Sequence, residues 1–139
     1  MTYYNYYINK VTKFLELIFN FLVLILIVIS LYPGSLIGYV FYGDLALQPD
    51  IIKNPFGTAI NHFICYFFIS LFGFYVYLKN KKFQKVVYIL FFLSLTLEVM
   101  QLFVPNRAFQ LYDLAGNFLG VLAAFFLVKI YLIIKKDTL

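Results

Sequence analysis

Six side chains in this 139-residue chain have the types needed for acid–base or anion-binding chemistry: His62, Glu98, Gln101, Arg107, Asp113 and Asn117. A carboxyl group in a low-dielectric setting holds its proton more tightly, and a nearby guanidinium opposes that. Glu98 can then act as a general base, with His62 as its catalytic proton partner. Arg107 offers a planar fork suited to phosphate or carboxylate. Gln101, Asp113 and Asn117 complete a polar ligand-binding set. No nucleophile motif, no phosphate-cradling glycine loop and no metal-ligand spacing accompanies these residues. His62 with Glu98 and Asp113 is a weak set for a divalent cation, so neither a metal nor a cofactor is expected.

The elements that must position these groups are membrane helices. Hydrophobic residues make up 64% of the chain and charged residues 12%. A soluble domain carries about 25% charged residues, so this chain cannot cover a water-facing surface. Disorder fails on the same count, because disordered chains are poor in apolar and aromatic residues. Four apolar runs, at residues 14–31, 60–78, 86–104 and 111–134, each approach the ~20 residues that cross a bilayer as a helix. A barrel would alternate in segments of about ten residues, and runs such as residues 21–29 (FLVLILIVI) do not alternate. The expected fold is therefore a single-domain, all-α, four-helix transmembrane bundle spanning residues 1–139. One cysteine, Cys65, rules out an internal disulfide framework.

Residues 32–59 carry Pro33, Gly34, Gly38, Gly43, Pro49, Pro55 and Gly57 and read as a long loop. Its apolar stretch, residues 36–42, is expected to lie partly on the membrane surface. Tyr3, Tyr4, Tyr6 and Tyr7 fit an interfacial aromatic belt. The first run lacks a clean small-x-small cleavage site and is long for a signal peptide, so an uncleaved first helix is expected. Lysines set the orientation. With both termini cytoplasmic, Lys10, Lys13, Lys79, Lys81, Lys82, Lys85, Lys129, Lys135 and Lys136 lie inside, and only Lys53 and Arg107 lie outside. The same placement makes the basic residues topology signals, not a nucleic-acid patch.

In that orientation the polar residues share one depth. His62 and Asp113 lie ~2 residues from the outer ends of their helices, and Glu98 and Asn117 ~6, so at 1.5 Å per residue all fall within about 9 Å of the outer interface. Their faces agree too. Ser94, Glu98 and Gln101 form one helical stripe, His62, Tyr66, Ser70 and Gly73 a second, and Asp113, Gly116, Asn117 and Gly120 a third. Gly116 and Gly120 form a small-xxx-small pair that lets a neighbouring helix pack closely.

Each residue also has a plainer reading. Glu98 could be an ion-pair partner for Arg107, and Asp113 an N-cap. Asn117 and Gln101 could be interhelical hydrogen-bonding residues worth about 0.6 kcal/mol each. His62 could simply be interfacial. Glu16, beside Lys13, reads as a surface ion pair, and Cys65 as a small buried apolar residue.

The order of the motifs carries a resemblance. His62-Phe63 opens a helix, Glu98-x-x-Gln101 follows, then Pro105-x-Arg107, then Asp113-x-x-x-Asn117-x-x-Gly120. This set resembles the VanZ-like family of small bacterial membrane proteins over residues 58–127. The family often carries an Asp-Lys pair just before the His motif, where this chain has Thr58-Ala59. That puts in doubt any ligand site to which the pair contributes. The resemblance implies a multi-pass protein of the bacterial cytoplasmic membrane with a cell-envelope role. The family takes its name from a protein linked to resistance against the glycopeptide teicoplanin. Carrying that over would be association, since family alone does not fix function.

Three functions from different classes follow. The first is a binding site for an anionic, lipid-linked envelope or cell-wall component, with Arg107 on its phosphate. The second is an intramembrane enzyme acting on such a lipid, with Glu98 and His62 as acid and base. The third is a structural clamp on three helices. Expected partners are membrane lipids and such a precursor, not nucleic acid. Exposed Phe and Gly faces permit a homo-oligomer.

Overall fold

The computed structural model describes the backbone of residues 2–49 and 55–137 and the side chains of residues 10–49 and 55–135. The side chains of Tyr3, Tyr4, Tyr6, Tyr7 and Lys136, and all of Lys53, lie outside the described residues.

The described chain is all helical. The helices are α1 (Thr2–Leu31), α2 (Leu36–Tyr42), α3 (Ala59–Tyr77), α4 (Phe83–Met100) and α5 (Leu111–Asp137), with a 3-10 turn at Gln101–Phe103 after α4. Four of them, α1, α3, α4 and α5, are long and apolar enough to cross a membrane. The helices outrun the apolar windows at several ends. Polar flanks such as Lys10 and Lys13 continue the intrahelical hydrogen bonding beyond the stretch that hydropathy marks.

The short α2 occupies the long connection between α1 and α3. Its start is fixed by Ser35, whose Oγ accepts the Gly38 N–H at 2.9 Å. Its end is fixed by Gly43, in the left-handed region at φ 72°. Ile37, Tyr39, Val40, Phe41 and Tyr42 all project outward. A seven-residue helix exposing that much apolar surface has the character of a segment that lies at a membrane–water interface.

At the far end of α4 the chain turns sharply. Val104 is extended, as a residue before proline prefers to be. Asn106 sits at φ 58°. The Arg107 N–H closes the turn on the Val104 carbonyl at 3.2 Å.

The helix α3 packs against α5, α4 and α1. Its closest neighbour is α5. A Cβ on Gly116 would meet the carbonyl oxygen of Ala59, and one on Gly120 would meet that of Phe63 at 2.5 Å. The same register recurs one helical turn on, so α3 and α5 run parallel with both N-termini at one end. The three stripes read from the sequence all turn inward: Tyr66, Ser70 and Gly73 on α3, Ser94, Glu98 and Gln101 beside α4, and Asp113, Gly116, Asn117 and Gly120 on α5 are buried. Below them Phe74, Leu90, Leu97, Val121, Ala124 and Val128 form a dry core.

Helix α1 is peripheral, with most of its apolar surface left outside the bundle. Midway along, Phe19 lodges where Gly73 leaves room for its ring. Glu16 does not need the expected lysine: it accepts the Asn80 amide at 3.1 Å, tying α1 to the α3–α4 connection. Cys65 is exposed, not buried. On the helical wheel it is turned about 60° from His62 and about 100° from the inward Tyr66, and an outward face in a membrane meets lipid, which accepts a thiol readily.

Gly120→Leu should lower the thermal melting temperature in detergent, corresponding to about 1–3 kcal/mol of overpacking, because the added side chain meets backbone. Leu119→Ala, one position away on an exposed face, should leave the melt nearly unchanged.

Candidate functional site

Five polar side chains near the helix ends at one end of the bundle form a continuous chain of hydrogen bonds and one ion contact. Thr58 comes first. It precedes α3 and makes no capping bond with its side chain. Its hydroxyl instead donates to Asp113, lying 2.9 Å from both carboxylate oxygens. The other face of Asp113 meets His62, with Oδ2 3.5 Å from Nε2. His62 Nδ1 lies 2.9 Å from Asn117 Oδ1. Asn117 Nδ2 donates to Glu98 Oε2 at 3.3 Å, and the backbone N–H of Gln110 donates to Glu98 Oε1 at 3.2 Å.

The orientation of each group follows from that of its neighbour. A carboxylate can only accept, so the Asn117 amide must turn its NH₂ toward Glu98 and its oxygen toward His62. Nδ1 of His62 therefore donates. Nε2 then faces a carboxylate oxygen of Asp113. His62 and Glu98 do not touch in this chain of bonds; Asn117 stands between them. The residue against the His62 ring is Asp113.

Burial separates the members. Glu98 is 1% exposed, Asn117 2% and Asp113 3%. The His62 side chain is 26% exposed. The imidazole is thus the member that reaches the surface, and the others lie behind it. Asp113 sits in the first turn of α5 rather than at its cap. The cap falls on Gln110, whose carbonyl takes the Leu114 N–H at 3.0 Å. Asp113 still faces the positive end of the α5 dipole.

Gln101 and Arg107 go elsewhere. The end of α1 leaves carbonyls that no intrahelical donor can reach, and lipid supplies none. Gln101 Nε2 donates to the Ser30 carbonyl at 3.1 Å. Arg107 donates from Nη2 to Ile29 at 3.0 Å and from Nε to Tyr32 at 3.2 Å. The expected Glu98–Arg107 ion pair is therefore replaced by two separate attachments, Glu98 to α5 and its preceding loop, and Arg107 to α1. The carboxylate still acts at a distance. Burial weakens the protonation of the guanidinium, and the charge of Glu98 partly restores it.

Sequence reasoning missed Thr58, the Gln110 N–H and the α1 carbonyls. Thr58 was within reach, because it lies one helical turn before His62 and so shares its face. The backbone partners carry no sequence signal. Thr58 and Ala59 also stand where the family often has Asp-Lys. Here the first is the hydroxyl partner of Asp113 and the second is the small residue under Gly116. Among the described residues no group of three His, Cys, Asp or Glu side chains converges as a metal-ligand set.

The VanZ/LLP1 family model matches residues 4–133. The chain belongs to the VanZ/LLP1 family. The match extends through α1, beyond the residues 58–127 that carry the ordered motifs. No curated protein and no solved structure gave a match. For this VanZ-family membrane protein, the motif residues fall into two structural groups: His62, Glu98, Asp113 and Asn117 in one network, and Gln101 with Arg107 on α1.

Asn117→Leu should strip a partner from both His62 and Glu98 and cost about 1–3 kcal/mol, read as a lowered melting temperature. Arg107→Ala should speed amide exchange in the last turn of α1, while Arg107→Lys restores the charge but not the two-pronged contact, and so rescues only in part.

Proposed function

We propose that the network around His62 is a recognition site for the anionic head of a lipid-linked cell-envelope component. The single observation that carries this reading is the graded burial of the network. One partly exposed imidazole is held by three buried polar side chains that lipid would strongly disfavour. Ionisable groups inside a membrane are expensive, and their usual justification is function. His62 is the contact residue. Asp113 and Asn117 hold its ring from either side, and Glu98 and Thr58 hold those two in turn. Arg107 contributes positive charge from the adjoining loop, and the parallel N-termini of α3 and α5 add theirs. The lysine distribution supports an outer-leaflet position with both termini cytoplasmic. A cell-envelope setting in the bacterial cytoplasmic membrane, and a bearing on teicoplanin resistance, belong to the same proposal.

A structural clamp is the second reading. It is favoured by Gln101 and Arg107, which donate to α1 carbonyls. An enzyme reading would now centre on His62 with Asp113, since Asn117 separates His62 from Glu98.

Native mass spectrometry of the purified protein tests the proposal. Wild type should carry a phosphorylated lipid that His62→Ala and Glu98→Gln both lose at an unchanged melting temperature. Equal lipid in all three proteins, with the variants less thermostable, would leave the clamp in its place.

A further inference from the structure

The outer end of α1 is held by groups from the far end of α4 and the loop that follows it. Arg107 donates from Nη2 to the Ile29 carbonyl at 3.0 Å and from Nε to that of Tyr32 at 3.2 Å, and Gln101 holds the Ser30 carbonyl at 3.1 Å. Three residues beyond Arg107 is Gln110, whose backbone N–H bonds Glu98 in the His62 network. One short loop therefore touches both α1 and the network. The charge of Glu98 also acts on the Arg107 guanidinium.

Register places Arg107 at the depth of His62. Glu16 meets Asn80 and Phe19 meets Gly73, so α1 and α3 run antiparallel. Ser30 lies eleven residues beyond Phe19, and His62 lies eleven before Gly73. Each is about 16 Å along its helix from the Phe19–Gly73 contact. The outer end of α1, with Arg107 upon it, thus shares a level with the exposed imidazole.

The two holds on α1 differ. Gln101 is 5% exposed, so its bond to Ser30 is enclosed. Ile29 and Tyr32 are 39% and 38% exposed, and the bonds that Arg107 makes to them lie at the surface. A carbonyl released there takes a water in exchange. Arg107 spends its Nε–Nη2 edge, a fork that fits phosphate bidentately, on two neutral carbonyls. An anion offers the same fork both opposite charge and matching geometry.

We propose that Arg107 is a switch between α1 and the ligand: the anionic head recognised at His62 draws the guanidinium off Ile29 and Tyr32, and binding thereby loosens the outer end of α1. This rests on the recognition function proposed above and adds a conformational consequence to it. Gln101 stays on Ser30, while Phe19 and Glu16 hold the other half of the helix, so α1 loosens without leaving the bundle. It is the helix suited to respond, since most of its surface already lies outside the bundle.

Amide exchange of the full chain in detergent, read by mass spectrometry, tests the switch, with native mass spectrometry of the same samples reporting bound lipid. The probe is dioleoyl phosphatidic acid, whose phosphate carries no further headgroup, and dioleoyl phosphatidylcholine is the comparison. Bound phosphatidic acid should speed exchange over residues 28–32 about tenfold, the scale of one lost hydrogen bond to a charged group. A ligand that only covers the site would slow it. Residues 19–24, midway along α1, should not change. Gln101→Ala should raise exchange without lipid and still respond to it. Arg107→Ala should exchange fast from the start and show no further acceleration. His62→Ala should neither bind nor respond. Bound phosphatidic acid with unchanged or slower exchange in wild type, equal acceleration by phosphatidylcholine, or a response that survives Arg107→Ala would each overturn the switch. Wild type without bound phosphatidic acid would overturn the recognition reading itself, and the switch with it.

Discussion

The approach of α5 to α3 at Gly116 and Gly120 is the constraint on which the rest of the molecule depends. In lipid no hydrophobic force drives two apolar helices together, so close contact needs small residues at the interface. Here the missing side chains let α5 rest almost directly on the carbonyls of Ala59 and Phe63. That contact sets the register. Asp113 then meets Thr58 and Asn117 meets His62, at the same sequence separation one turn apart. A slip of one residue would turn each of these side chains away by about 100° and leave polar groups facing lipid.

Once the register is set, the network orders itself. Each polar side chain has limited donor and acceptor capacity, and the bilayer supplies no alternative partner. The carboxylate of Glu98 decides which way Asn117 turns, Asn117 decides which ring nitrogen of His62 donates, and the ring faces Asp113 with the other. The bundle therefore presents one imidazole at its surface in one orientation. That is a property of the assembled helices and of no single one of them.

Helix α1 is attached by other means. It contributes few residues to the core, and its hold on the bundle rests on three points along its length: Glu16 with Asn80, Phe19 over Gly73, and its terminal carbonyls with Gln101 and Arg107. The last of these places a cation at the negative end of the α1 dipole. It also answers why an arginine in a tight polar loop turns from a nearby carboxylate. Asn117 and a backbone N–H already satisfy Glu98, whereas the carbonyls at the end of α1 lie beyond the reach of intrahelical donors.

The helices, their number and their inward faces were legible in the sequence. The apolar run length dictated helices, the spacing of Ser94, Glu98 and Gln101 dictated a face, and Gly116 with Gly120 announced a close contact. All of these are local periodicities, and a periodicity belongs to the chain itself. The partners of the polar groups were not legible. Whether Glu98 meets Arg107 or Asn117, whether Asp113 caps its own helix or braces His62, and whether Cys65 points in or out depend on rotations and registers between helices. Those are set by packing, and several of the deciding atoms are backbone carbonyls and N–H groups that every residue carries alike. The sequence by itself determined a four-helix membrane bundle with its polar residues gathered at one end. Only the tertiary structure divided those residues into a network behind His62 and a pair of donors closing α1, because unsatisfied hydrogen-bonding groups in lipid must find partners wherever the packed backbone places them.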